Sequence, residues 1–366
     1  MRHLAILLLA LAVVSCTGKW QPGDSINSGK DFLCHAGICE DSLALNGNDL
    51  RYDNDGEKFP CRILDQATCE AIGLDKVMYV DTVSSIVRVW GVKDYPDKNI
   101  TLLLGHTSYS DMRTCWLATY GKDGMIDFMR LGECGGAVNL SYWDDVDEHT
   151  RHMGIDSMRM VMPDKWGKPI NVSRWISYNE QRDGVDTDST LWFIDNEVPV
   201  TIGDDGRFTL GKIGTVYSAD TTLLTPYWRY KRQLEVLGWT PLSDTTFCDQ
   251  VNTLLDEAKG HITDPAQLMG DFSVLVMNRF YCKTSEVMQW CCDHPDSQLT
   301  RGLVKYVSEI NPEYVLDELK KIKDPALLTR SKKLFGLKEG LQVPAAGYRL
   351  QKKVTRKGTE KSTRNP

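Results

Sequence analysis

The sequence predicts an α+β protein, with an antiparallel β meander or sandwich over residues 76–240 and a small helical bundle over residues 243–340. Three observations lead there. Short runs rich in β-branched and aromatic residues recur between polar turns in the first region. Two of those runs flank an Asp-Gly pair, a strong hairpin signal. The second region changes to a helical apolar spacing, and its helix starts repeat a cap-then-proline pattern.

Val77–Val80, Ser85–Trp90 and Ile100–Leu104 read as the first strands of the β region. Thr114–Tyr120 and Met125–Met129 then face each other across Gly121-Lys122-Asp123-Gly124, the expected hairpin. Thr190–Ile194 is expected to turn at Asp195-Asn196 into Val198–Ile202. A further turn at Gly203-Asp204-Asp205-Gly206 leads into Arg207–Leu210. Strands this short, at regular spacing, suit a meander, a sandwich or an open barrel.

Before them, residues 31–75 are polar, turn-rich and Cys-rich, as in Asn46-Gly47-Asn48 and Asp53-Asn54-Asp55-Gly56. An irregular stapled segment is expected there, with a short helix near Cys69. After the strands, Phe247, Val251, Leu254, Leu255 and Ala258 recur at helical spacing. Asp244 and Thr245 are candidate caps, and Gly260 a candidate stop. Asp264-Pro265, Asn311-Pro312 and Asp324-Pro325 each place a capping side chain before a proline. Proline at the first helical position loses no hydrogen bond, because its amide would be an orphan there.

The N-terminus carries a different signal. Arg2 precedes an unbroken apolar run from Leu4 to Val14. A spanning helix needs about 20 apolar residues, whereas a secretory leader needs roughly 7–15. The run ends in Val13-Val14-Ser15-Cys16 and is followed by the polar Thr17-Gly18-Lys19-Trp20-Gln21-Pro22-Gly23. This resembles the lipobox of bacterial lipoproteins, with Val13 standing where that family usually has Leu. The resemblance implies a cleaved signal peptide over 1–15, a diacylglycerol and palmitate on Cys16, a tether over 16–30 and anchoring to a membrane of the cell envelope, the outer membrane first. Ala10-Leu11-Ala12 offers ordinary secretion as the alternative. Asp41-Ser42-Leu43, Asp81-Thr82-Val83, Asp156-Ser157-Met158, Asp244-Thr245-Thr246 and three further Asp-Ser or Asp-Thr triplets also resemble the O-glycosylation motif of exported Bacteroidetes proteins. Such pairs serve equally as turns and helix caps.

The net charge of −7 is unevenly spread. Residues 349–366 hold seven Lys or Arg against one Glu, which leaves the body strongly acidic. An acidic body argues against a nucleic-acid partner, and the basic end reads as a solvated tail. Of eleven cysteines, ten remain once Cys16 is set apart. In an exported chain they are disulfide candidates. Local spacing suggests Cys34 with Cys39 and Cys61 with Cys69. Cys115 and Cys134 flank the hairpin, and Cys248, Cys282, Cys291 and Cys292 fall in the helical region. Spacing alone does not fix the pairing.

The sequence contains no G-x-S-x-G, no H-E-x-x-H, no Gly-rich phosphate loop and no C-x-x-C. No cofactor is implied. Residues 144–152 gather four acids and two histidines, making Asp145, His149 and His152 candidate ligands of a divalent ion against a solvated acidic loop. Asp183, Asp186 and Asp188 miss the calcium-loop register and read as a turn. His106, in Gly105–Asp111, is expected on a loop after a strand. Trp143 and Trp166 sit in polar, turn-like contexts and are the candidates for exposed glycan-stacking surfaces. The expectation is a non-catalytic anchored protein that binds a glycan or an envelope protein. A hydrolase built on two fold-assembled carboxylates and a structural part of an envelope complex are the alternatives.

Overall fold

The protein is described by a computed structural model over residues 25–38, 49–52, 61–78, 80, 85–109, 112–134, 137–139, 150–163, 165–182, 185–211, 214–215, 230, 233–234, 237–262, 276, 279–310 and 312–337. It is an α+β fold in which two antiparallel sheets are followed by helices. The first sheet has order β2-β3-β4-β5-β6, from Arg62–Leu64, Ser85–Tyr95, Ile100–Tyr109, Met112–Gly121 and Gly124–Cys134. The second has β1 (Asp49–Tyr52), β8 (Thr150–Val161), β9 (Ile170–Arg182), β10 (Val185–Ile202) and β11 (Phe208–Leu210) in that order. Two short strands complete it, β7 (Ala137–Asn139) on β8 and β12 (Gly214–Thr215) on β10.

Alternation along the strands builds two cores from the first sheet. Leu102, Leu104, Leu117 and Met129 point to one side and meet Met160, Val172, Val198 and Val200 of the second sheet. Val87, Val89, Leu103, Trp116 and Ala118 point to the other. There α1 (Gly29–His35) and α2 (Gln66–Ala71) cover them with Leu33 and Cys69. Strand β4 is therefore buried on both faces, which is why Ile100–Leu104 reads as a near-continuous apolar run. Gly105 is needed in that strand: a Cβ there would lie 2.3 Å from the Trp116 ring and 2.4 Å from the Arg88 carbonyl.

The Asp-Gly hairpin forms as expected, with Gly121 opposite Gly124 and Gly124 at φ +115°. The Gly203–Gly206 turn also forms, joining Ile202 to Phe208 in register. Three expectations are corrected. Asp195-Asn196 does not reverse the chain: β10 runs on through an irregularity between Ile194 and Asn196, because a bulge absorbs one extra residue without a turn. Gly105–Tyr109 is not a loop but the second half of β4, paired with Met112–Trp116. Val77 and Met78 follow a 3-10 turn at Leu74–Lys76 and form no strand. The segment before residue 76 supplies β1 and β2, one strand to each sheet.

The C-terminal region forms α3 (Phe247–Ala258), α4 (Thr284–Asp293), α5 (Gln298–Ile310), α6 (Pro312–Leu319) and α7 (Pro325–Leu334). They share a core that includes Phe247, Val251, Leu255, Phe280, Met288, Leu303 and Leu319. Asp324 caps α7 by accepting from the Ala326 amide at 2.9 Å, with Pro325 at the first turn. At α3 the cap differs from expectation. Asp244 accepts from the Thr246 amide and hydroxyl, so it orders the turn before the helix. The Asp264-Pro265 start lies outside the described residues, as does Asn311. Among the described residues no helix is long and apolar enough to cross a membrane.

Candidate functional site: a cleft where the second sheet meets the helical region

Sheet and helices meet around one buried carboxylate. Asp127 lies in β6 among Met125, Ile126, Phe128 and Met129, and is 3% exposed. An acid in that position is tolerable only if its oxygens are fully bonded. Oδ1 accepts from the Phe128 amide (2.9 Å) and the Ser243 amide (3.1 Å). Oδ2 accepts from the Phe208 amide (2.9 Å) and the Ser243 hydroxyl (2.7 Å). One carboxylate thus ties the first sheet, the edge strand of the second and the chain entering the helices.

The segment around Ser243 is held from the other side by Arg279, which is 4% exposed. Its guanidinium donates to the Pro241 carbonyl (2.8 Å), to the Asp244 carbonyl, and to Glu286 Oε1 of α4 (3.1 Å). It also lies 5.1 Å from the centre of the Phe247 ring. Trp239, 1% exposed, enters the core between the sheets. The Leu242 amide donates to the Phe128 carbonyl at 3.0 Å. Residues 239–244 are consequently fixed to both halves of the molecule.

Beside this clamp opens a cleft of about 480 Å³. One wall is the end of the second sheet, Gly203, Asp205 and Arg207 through Gly211. The other is Leu237, Thr240, Pro241, Ser243, Asp244 and Gln250. The lining combines hydroxyls, an amide, opposite charges and apolar side chains. Asp205 and Arg207 form a loose, exposed ion pair at 3.7 Å. Thr240 is 6% exposed, and its hydroxyl has no partner among the described residues. A buried unpaired hydroxyl is costly, and this one lies beneath the wall of the cleft and not on its surface. No imidazole or thiol is in this lining, and Ser243 spends its proton on Asp127. The arrangement can hold a ligand.

Trp166 lies beside the same end of the second sheet. It is half-buried, not an open platform: its ring packs edge-on against Tyr95 at 4.8 Å. Its indole N–H donates to Asp204 at 3.0 Å, and Lys98 sits over the ring while pairing with Asp204 at 2.7 Å. These contacts, Lys98 first, hold the Asp204 carboxyl below the ordinary range. Burial alone pushes the Tyr95 phenol up to about 12.

His106 is a core residue, 2% exposed, and not a loop group. Trp90 donates its indole N–H to His106 Nδ1 at 2.5 Å, which assigns the acceptor role to that nitrogen. Of the acidic cluster, Asp145 and His149 lie outside the described residues, and His152 belongs to β8. Among the described residues no group of three His, Cys, Asp or Glu is placed to hold a metal. Cys16, Cys39 and Trp143 lie outside the described residues. Asp186 and Asp188 fall in β10.

The cysteines divide. Cys34, in the last turn of α1, is disulfide-bonded. Cys61 and Cys69 are free thiols, contrary to the local pairing expected: Cys61 is exposed before β2, whereas α2 turns Cys69 into the core. Cys282, Cys291 and Cys292 are free as well. Cys291 points into the helical core, Cys282 donates to the Val77 carbonyl at 2.9 Å, and Cys292 lies 3.9 Å from Ser331. Burial raises the Cys69 thiol to about 11 and those of Cys248 and Cys291 to about 12. In β5 and β6, register sets Arg113, not Cys115, opposite Cys134.

Sequence reading missed the cleft and its clamp. The usable signals were Asp127 and Arg279, single charges inside apolar runs. Comparison with protein families, with functionally described proteins and with solved structures finds no match to this chain.

Proposed function

We propose that this chain is a lipid-anchored, non-catalytic binding protein of the bacterial cell envelope, held at the outer membrane through Cys16. Its ligand is a glycan or another envelope protein. The observation that carries the binding role is the cleft between residues 203–211 and 237–250, whose lining offers hydrogen-bonding and apolar groups. The leader and the Val13-Val14-Ser15-Cys16 sequence support the anchor. A tether of polar residues then separates the lipid from the folded part.

Two measurements test this reading. Palmitate labelling in a bacterial host should mark the wild-type chain and not Cys16→Ala; equal labelling of both removes the anchor. Thermal melting of the mature protein, against polysaccharides, peptidoglycan fragments and a peptide library, tests the cleft. A ligand that binds only the native state raises the midpoint. Incubation of any glycan that does so, followed by analysis for released product, separates binding from hydrolysis.

A further inference from the structure

We infer that the cleft takes an extended polypeptide segment, which adds as a strand to the outer edge of β11. This rests on the proposed binding role of the cleft and specifies its ligand.

Gly203 donates to the Arg207 carbonyl at 2.8 Å, and Gly211 donates to the Pro199 carbonyl at 2.7 Å. Between them Thr201 stands opposite Thr209. In an antiparallel pair, alternate residues bond the partner strand and the residues between them point their N–H and C=O the other way. Residues 207, 209 and 211 therefore serve the ladder to β10, while Phe208 and Leu210 direct their backbone groups outward. The Phe208 amide shows that direction, since it donates to Asp127 Oδ2 at 2.9 Å. The Phe208 carbonyl and both backbone groups of Leu210 remain, and no described residue takes them. Phe208 and Leu210 both line the cleft.

A row of outward-directed donor and acceptor at strand spacing is complementary to another extended backbone. One residue of an incoming antiparallel strand can exchange two hydrogen bonds with Leu210, and a neighbour can reach the Phe208 carbonyl. The opposite wall supplies apolar surface from Leu237 and Pro241 and the exposed side-chain amide of Gln250. Alternate side chains of the incoming strand meet this wall. A saccharide needs no such ladder, and its hydroxyls would leave the backbone row no more favoured than side-chain hydroxyls.

The test uses the mature chain in neutral detergent and a displayed random heptapeptide library. Selected heptapeptides are resynthesised with and without N-methylation at alternate residues, and their affinities are measured by fluorescence anisotropy. A second arm uses Leu210→Pro, which deletes the outward N–H and removes no bond of the β10 ladder; proline is tolerated at such edge positions. The expected result is heptapeptide binding that falls about tenfold or more with N-methylation in one alternate set only, and falls similarly in L210P with the melting midpoint retained. If L210P does not fold, the methylation series still decides. Heptapeptides that bind with no sensitivity to N-methylation overturn the strand-addition proposal and leave the binding role standing. A glycan that raises the midpoint while no heptapeptide is selected does the same. Failure of every glycan and every heptapeptide overturns both.

Discussion

The Ser243 hydroxyl donates to Asp127 Oδ2 at 2.7 Å across 116 residues of sequence, and the same serine's amide donates to Oδ1. One residue thus makes half of the hydrogen bonds that stabilise a buried carboxylate, and it does so from the wall of the cleft. Removing the carboxylate leaves the Phe208 and Ser243 donors without an acceptor. Asp127→Ala should destabilise the protein by about 3–5 kcal/mol, and Asp127→Asn by roughly half of that. Ser243→Ala should cost about 1 kcal/mol. Urea unfolding of the three variants checks the order. A loss below about 1 kcal/mol for D127A would show that the clamp is not buried as described.

Gly105 gives a second, purely steric prediction. The atoms that a Cβ would strike are the ring of Trp116 and the backbone carbonyl of Arg88, and neither is a flexible end. Gly105→Ala should lower stability by about 2 kcal/mol or more and shift the near-ultraviolet signal of Trp116. Gly73→Ala is the contrast. There the added methyl meets nothing within 4 Å, and the cost is only that of a positive φ of 77°. The first variant should melt well below the second.

Thiol chemistry should separate the cysteines by burial. In the native protein an alkylating reagent should modify Cys61 rapidly, while Cys69, Cys248 and Cys291 react only after unfolding; mass spectrometry of digested samples reads each site. The buried thiols also predict an alkaline limit. Their folded values, about 11 for Cys69 and about 12 for Cys248 and Cys291, lie above the ordinary 9.0. The folded state therefore holds these protons more tightly than the unfolded state. The stability they contribute is complete below pH 9 and is lost as pH rises from about 9 towards 12. Replacing Cys248 by Ala should lower stability at neutral pH through the lost packing, yet flatten its fall above pH 9. An unchanged slope in that variant would exclude Cys248 from the effect.

The Lys98–Asp204–Trp166 contact responds at the acid end. Asp204 is held below its ordinary 3.8 by Lys98 and Trp166. The contact is present at neutral pH and is lost as pH falls through that lowered value. Trp166 emission should change with a midpoint below 3.8, and Asp204→Asn should abolish that transition. The pair is exposed, so the melting midpoint at neutral pH should move little.

Fold class was legible in the sequence because periodicity is a local property. The hairpin at Asp123-Gly124, the turn at Gly203–Gly206 and the cap at Asp324-Pro325 each depend on a few adjacent residues. Errors arose where tertiary context decides between local options. Asp195-Asn196 has turn chemistry, but pairing with β9 on both sides of it turns the signal into a bulge. His106 looked like a loop group, since its neighbours are polar, yet β3 and β5 flank it and Trp90 satisfies it. Cys61 and Cys69 are close in sequence, but a helix turns one inward. The cleft was not legible at all. Its walls come from two segments about 30 residues apart, and its clamp reaches back to Asp127 and forward to Arg279.

Pro199 has no N–H to offer Gly211, so the ladder between β10 and β11 stops there and the edge strand is only three residues long. Proteins confined to a membrane surface, as proposed for this chain, meet one another far more often than they would in solution. A long open edge in that setting would invite copy after copy to stack into a filament. An edge of two outward-facing residues is too brief to propagate a sheet, yet long enough to seat one guest strand reversibly. A single imino acid thereby limits how many neighbours can zip together while leaving a visiting segment free to come and go.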